Sequence, residues 1–223
     1  NKPDKEIRRT SGEENIIVAA KPETNTRAML ILADGAQIDL VHDLPEVVEQ
    51  KRAIIRGENG KLLYEVKRDS LLNDETVEET FNRVVTYVGG DYFLTLSDGT
   101  RVWLNADSEL EFPVSFVENE RVVKLQGEAY FEVQRDVNKP FIVDANGLRT
   151  RVLGTSFNVK AYRDEQNVFT TLVKGSVAVE VLDNGNVPTS RVVLEPGMQA
   201  MWHEGSKAIS VQPVNVANIA AWK

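Results

Sequence analysis

Glycine-centred turn signals recur at short intervals along this chain, and they leave little room for long helices. Asp34-Gly35, Asn59-Gly60, Gly89-Gly90, Asp98-Gly99, Asn146-Gly147, Lys174-Gly175, Asp183-Asn184-Gly185, Glu195-Pro196-Gly197 and Glu204-Gly205 all fall within 223 residues. Glycine reaches positive φ without steric penalty and Asn or Asp tolerates it, so such pairs favour tight hairpin turns. Between them stand runs of period-two alternation. Phe157, Val159 and Ala161 alternate with Asn158 and Lys160, and Val177, Val179 and Val181 alternate with Ala178 and Glu180. Short strands at this spacing predict an all-β chain, an antiparallel β-sandwich or a jelly-roll-like roll of many short strands, rather than a parallel βαβ sheet. The alternation also predicts a core made of Leu94, Leu96, Val102, Leu104, Phe131, Val133, Phe157 and Val159.

One stretch gives a mixed signal. Val77, Phe81, Val84, Val85 and Val88 fall at near-helical spacing, and Asn73-Asp74-Glu75 has the chemistry of a helix cap. The β-branched and aromatic run Val84–Val88 ends on Gly89-Gly90 and favours a strand instead. Asp74–Thr80 is therefore read as an acidic loop and Asn82–Val88 as a strand. Pro213–Trp222 reads either as a short helix or as an extended segment. There is also an internal repeat: Met29–Leu40 lines up with Phe93–Leu104, with Leu30/Leu94, Leu32/Leu96, Asp34/Asp98, Gly35/Gly99 and Leu40/Leu104 coinciding. Each copy reads as strand, Asp-Gly turn, strand. Duplication of one hairpin and independent use of a common hairpin design both account for it. The fainter echo of Gly60–Val66 in Gly127–Val133 reads as ordinary likeness between hairpins.

The chemistry on offer is thin. At 42% hydrophobic and 27% charged residues the chain is globular and long enough to bury its own core. Its longest purely apolar run, Ala28–Ala33, is far short of the roughly 20 residues that cross a bilayer. A net charge of −8 opposes binding to a phosphate backbone, so no nucleic acid is expected as a partner. The absence of cysteine removes thiol catalysis, Cys-ligated metals and disulfides together. His42 and His203 are far apart, have no metal-ligand spacing and read as rim histidines; no cofactor or metal is expected. Glu128 and Glu132 form the best carboxylate pair. Four residues apart on a strand they stand about 13 Å from each other, whereas glycosidase pairs need about 5–9.5 Å. They read as a solvated face, and a hydrolase would need a pair assembled only by folding. Trp103 shares a face with Arg101, opposite Val102 and Leu104, and reads as packing under a neighbouring loop. Clustered exposed aromatics around Trp103 or Trp202 would instead favour a carbohydrate-binding module.

Several blocks, in order, resemble the FecR family. They are Leu94–Ala106, with Ser108, Leu110, Phe112-Pro113 and Phe116 after it; Arg121–Val133; Lys139–Val143; Val152–Tyr162; Thr170–Val177; and Leu194–Gly197. Ala28–Val66 resembles the lead-in of the Bacteroidetes-type branch. The resemblance implies a non-enzymatic regulator, an anti-sigma factor anchored in the inner membrane by a single transmembrane helix. It implies a cytoplasmic region that binds an extracytoplasmic-function (ECF) sigma factor, and a periplasmic part that receives a signal from a TonB-dependent outer-membrane transducer's signalling domain. On that reading residues 1–24 are a polar tether following the membrane helix, and residues 25–212 are the periplasmic β domain. Within it residues 28–66 are lead-in hairpins and 82–203 the signature region, while 213–223 link to a further small domain. Some family members cleave themselves at a Gly-Thr bond, which here corresponds to Gly154-Thr155. The Thr hydroxyl would attack the preceding carbonyl in an N-to-O acyl shift. The other reading, an intact turn in which Gly154 permits a bend between strands, is the one preferred on these residues.

Overall fold

Alternating apolar residues make strands the dominant element among the described residues. The computed structural model describes residues 27–40, 48–49, 53–58, 61–66, 79–183, 187–219 and 221–223. The strands are β1 (Ala28–Ile31), β2 (Gln37–Asp39), β3 (Val48–Glu49), β4 (Ala53–Glu58), β5 (Lys61–Val66), β6 (Phe81–Thr86), β7 (Tyr92–Thr95), β8 (Arg101–Leu104) and β9 (Ser108–Pro113). They continue with β10 (Arg121–Glu132), β11 (Phe141–Ala145), β12 (Leu148–Val152), β13 (Ser156–Ala161), β14 (Asn167–Lys174), β15 (Val177–Leu182), β16 (Pro188–Leu194), β17 (Met198–His203) and β18 (Ile209–Pro213). One short helix among the described residues, α1 (Val216–Ile219), follows. The strand expected over Asn82–Val88 is therefore present one residue early and ends at Thr86, with Val88 exposed in the turn. Most of the expected acidic loop, Asp74 to Glu78, lies outside the described residues.

Hydrogen bonding joins these strands into two sheets that share one member. The first runs β2-β1-β6-β9-β10-β11-β12-β15-β16. The second runs β3-β4-β5-β7-β8-β10-β13-β14-β17-β18. β10 belongs to both. Arg121–Gln126 pairs in the first sheet and Gly127–Glu132 in the second. The change of sheet falls at Gly127, where φ is +93° and a Cβ would lie 2.2 Å from Ser108 Oγ. Only glycine meets both demands, a left-handed backbone and contact with Ser108.

The two sheets face each other as a sandwich. Rings meet across the gap at Tyr64–Phe112, with centroids 5.1 Å apart, and at Phe131–Phe141, 6.0 Å apart. Polar groups trapped there find one another: Asn82 Nδ2 donates to Tyr64 Oη at 3.0 Å, and the Thr150 and Thr170 hydroxyls stand 3.0 Å apart. Burial pushes the pKa of the Tyr64 phenol well up, so it sits there neutral. All of the predicted core residues are buried. The sheets are mixed, however, rather than purely antiparallel, because β5–β7 and β10–β11 run parallel. In each case the chain visits the opposite sheet before it returns, and such a crossover brings the strand back in its original direction.

The internal repeat holds at the level of single hydrogen bonds. Leu32 N donates to Ala36 O at 2.9 Å and Leu96 N to Thr100 O at 2.8 Å. The Asp34 and Asp98 carboxylates each accept from the backbone N–H two residues on, both at 2.9 Å. The fainter echo has no such equivalence: β5 lies parallel to β7, whereas the second half of β10 lies antiparallel to β8.

Leu104→Ala and Phe157→Ala are each expected to cost about 2–5 kcal/mol in denaturant unfolding, from lost transfer energy and the cavity left behind. Gly127→Ala is expected to cost about 3 kcal/mol or more, since it combines strained φ with overpacking. A Gly127→Ala midpoint equal to that of the parent would refute the shared-strand geometry.

Candidate functional site

Where β10 begins, a charged side chain is held inside the sandwich. Arg121 is in phase with Val123 and Leu125, so strand alternation turns it inward, and it is 2% exposed. Its charge is met by Asp98 at 2.6 Å, from the Asp-Gly turn of the second repeat copy. Its Nε donates to Lys139 O at 2.8 Å and its Nη1 to Gln134 O at 2.9 Å. The guanidinium also lies over the Phe141 ring, 5.4 Å from its centroid. Asp98 is further engaged by the Thr100 hydroxyl at 2.7 Å, and Thr100 in turn accepts from Gln134 N. One arginine thus ties together a hairpin turn, the first residue of a shared strand and the segment after that strand. The phase with Val123 and Leu125 was the sequence signal for this residue; its partners, 13 to 23 positions away, had none.

The segment leaving β10 connects this network to Gly154-Thr155. Val133 N donates to Thr155 O at 3.0 Å, and Asp136 N to Leu153 O at 2.8 Å. Gly154 has φ +152°, and a Cβ there would come within 2.7 Å of the Arg135 backbone. Thr155 is 5% exposed, and its hydroxyl donates to Ser176 O at 3.0 Å.

The two strand carboxylates have separate partners. Glu128 accepts from Asn105 Nδ2 at 2.9 Å and from Asn158 Nδ2 at 2.8 Å. Glu132 pairs with Arg101 and, at 2.7 Å, with Lys223 Nζ. Burial alone would lower the Lys223 pKa, but its hydrogen bond to Glu132 and the neighbouring Tyr130 and Glu132 outweigh this, and it ends above the ordinary value. Trp103 packs edge-to-face between Phe93 and Tyr130, at 4.8 and 5.9 Å. Lys61 caps the Phe93 ring, and Arg101 and Lys223 lie over Trp103. Cations thus lie over ring faces on which a sugar would stack. Trp202 is buried and donates from Nε1 to Ser206 O at 2.7 Å. His203 is exposed beside Asn167, and His42 lies outside the described residues. Among the described residues no group of three or more His, Cys, Asp or Glu is placed to hold a metal ion.

Comparison with known proteins adds the decisive observation: residues 82–178 match the family described as FecR protein. They are a FecR domain. It opens in β6, closes in β15 and contains Asp98, Arg121 and Thr155, so the shared strand β10, the strands beside it in both sheets and the whole arginine network belong to it. Two crystal structures of a candidate anti-sigma factor from Parabacteroides distasonis are similar to this chain. The one at 1.65 Å is 34% identical, with a TM-score of 0.57, over 63% of each chain. The one at 2.50 Å is 33% identical, with a TM-score of 0.58, over 64% of each. The match therefore spans less than two thirds of those proteins' length. No curated protein matches the chain.

In the FecR domain Asp98→Asn leaves a buried guanidinium without its counter-charge, and the expected cost is about 3–5 kcal/mol in equilibrium unfolding. Asp98→Asn combined with Arg121→Met is expected to cost less than the sum of the single changes, as coupled groups do. Strict additivity would show that the pair is not coupled.

Proposed function

We propose that this chain is the sensor and relay part of an anti-sigma regulator. The observation that carries the reading is the likeness, at 33–34% identity, of a FecR-domain chain to structures of a candidate anti-sigma factor. In this proposal the parent protein is anchored in the inner membrane, restrains an ECF sigma factor on the cytoplasmic side and receives its signal in the periplasm. The signal comes from the signalling domain of a TonB-dependent outer-membrane transducer. The chain acts by binding rather than by turnover. Supporting this, Glu128 and Glu132 are committed to amide and cationic partners, and the sandwich leaves strand edges for an incoming segment. Among the described residues β16 is such an edge: it pairs only with β15, exposes Val193, and carries Arg191 as its one charge.

The test is co-purification of the full-length parent from its own cells, with and without the inducing nutrient, alongside a reporter of sigma-dependent transcription. The sigma factor and the transducer are expected to co-purify, and deletion of residues 82–178 to make the reporter insensitive to the nutrient. A parent that captures neither protein, and whose deletion leaves the reporter unchanged, would overturn the proposal.

In the same reading Gly154-Thr155 stays whole. The Thr155 hydroxyl is spent on the Ser176 carbonyl, an acceptor that does not take up its proton, and Gly154 serves the close approach of Arg135. Mass spectrometry of the membrane-anchored parent is expected to give one chain. Two fragments meeting at Gly154/Thr155, absent in Thr155→Ala and retained in Thr155→Ser, would reverse this.

A further inference from the structure

A cleft of about 230 Å³ opens beside the Arg121 network, lined in part by Ser97, Asp98, Arg121, Arg135, Asp136 and Lys139. Two of these groups carry hydrogen-bond donors that no protein group satisfies among the described residues. Arg121 Nη2 and Ser97 Oγ are both buried without a partner, although the rest of the Arg121 guanidinium is fully engaged. A buried unmet donor on a charged group is costly, and native structures rarely keep one without a use. Here the two residues that carry them line one cleft.

The charges define what would satisfy them. The lining holds three cations against two carboxylates, which leaves one positive charge over. Asp98 is neutralised by Arg121, and Asp136 Oδ1 already accepts from the Asn138 and Lys139 backbone N–H groups. Lys139 Nζ spends one hydrogen on Phe116 O at 2.8 Å and has others left. Arg135 is exposed and makes no ion pair among the described residues. A dianion such as phosphate would meet the two resident carboxylates, whereas a monoanion balances the surplus. Val66 and Phe116 supply apolar wall beside this charge.

We propose that this cleft is a binding site for a carboxylate carried on a short apolar stem. One carboxylate oxygen takes the Arg121 Nη2 hydrogen and the other takes the Ser97 hydroxyl, while Arg135 and Lys139 hold the charge at the mouth. Both inner donors are closed off from solvent, so binding requires a small opening of the cleft wall. The stem can belong to a free short-chain acid or to a glutamate side chain of a partner peptide. The site goes beyond the regulatory reading above and stands whether or not that reading holds.

The test is an NMR titration of the 223-residue chain, following the Ser97, Arg135 and Lys139 amides and the Arg121 Nε–H. The probes are butyrate, its neutral isostere butyramide, inorganic phosphate, and a short uncharged peptide bearing one Glu or, as control, one Gln. Saturable shifts confined to this cleft are expected with butyrate or the Glu peptide, at a Kd on the order of 1–10 mM for so small a ligand. Ser97→Ala, which removes one donor and leaves the Asp98–Arg121 pair alone, is expected to weaken binding about tenfold. Arg135→Gln is expected to weaken it less. Binding of butyrate identifies a free acid as sufficient; binding of the Glu peptide alone assigns the carboxylate to a protein partner. No saturation with either, equal binding of butyramide or the Gln peptide, tighter binding of phosphate, or a Ser97→Ala variant that titrates like the parent would each overturn the proposal.

Discussion

Both sheets depend on one strand changing sides. β10 contributes its first half to one sheet and its second half to the other, and the bend at Gly127 is what makes the two halves compatible. Without that bend the strand would extend a single sheet, and Phe131 would not meet Phe141 across the core. Six residues earlier Arg121 fixes the same strand to the Asp98 turn and to the chain just beyond its end. The bend sets the direction of the strand and the arginine its position.

This arrangement explains how a chain can offer so little chemistry and still be tightly specified. Three pairs of its buried polar groups are bridges between elements: Asn82 to Tyr64, Thr150 to Thr170, Arg121 to Asp98. Such bridges contribute little net stability against a well-packed apolar alternative, but each forms in one pairing of the sheets and is broken in shifted ones. The same holds on the outer face, where Glu128 stands between two asparagines and Glu132 between two cations. Carboxylates held this way align strands.

How much was legible in the sequence follows from which interactions are local. Alternation is local, and it located Leu94, Val102, Phe157 and Val159 in the core correctly. Turn chemistry is local too, and the two Asp-Gly hairpins match down to their hydrogen bonds. The crossing at Gly127 was not legible, because Gly127-Glu128 reads as a strand simply continuing. Nor were the parallel pairs, which arise from the path of the chain between sheets rather than from any run of residues. Arg121 lies between these cases: its phase with Val123 and Leu125 is a signal for an inward-facing side chain that the sequence reading did not use, and only the fold brings Asp98, Gln134 and Lys139 to it. The cleft with its unmet Ser97 and Arg121 donors is a product of that same assembly, and no spacing announces it.

The matched hairpins carry one further implication. Asp34 sits in an exposed turn, and β2 after it pairs only with β1 among the described residues. Asp98 holds the same local hydrogen bond and, in addition, the buried guanidinium of Arg121. Two hairpins of one design therefore tolerate substitution unequally. The first needs only that a turn form, while the second is tied to a residue 23 positions away. Likeness in sequence thus conceals a difference in consequence: the same Asp→Asn change alters a surface turn at Asp34 but strands a buried guanidinium at Asp98.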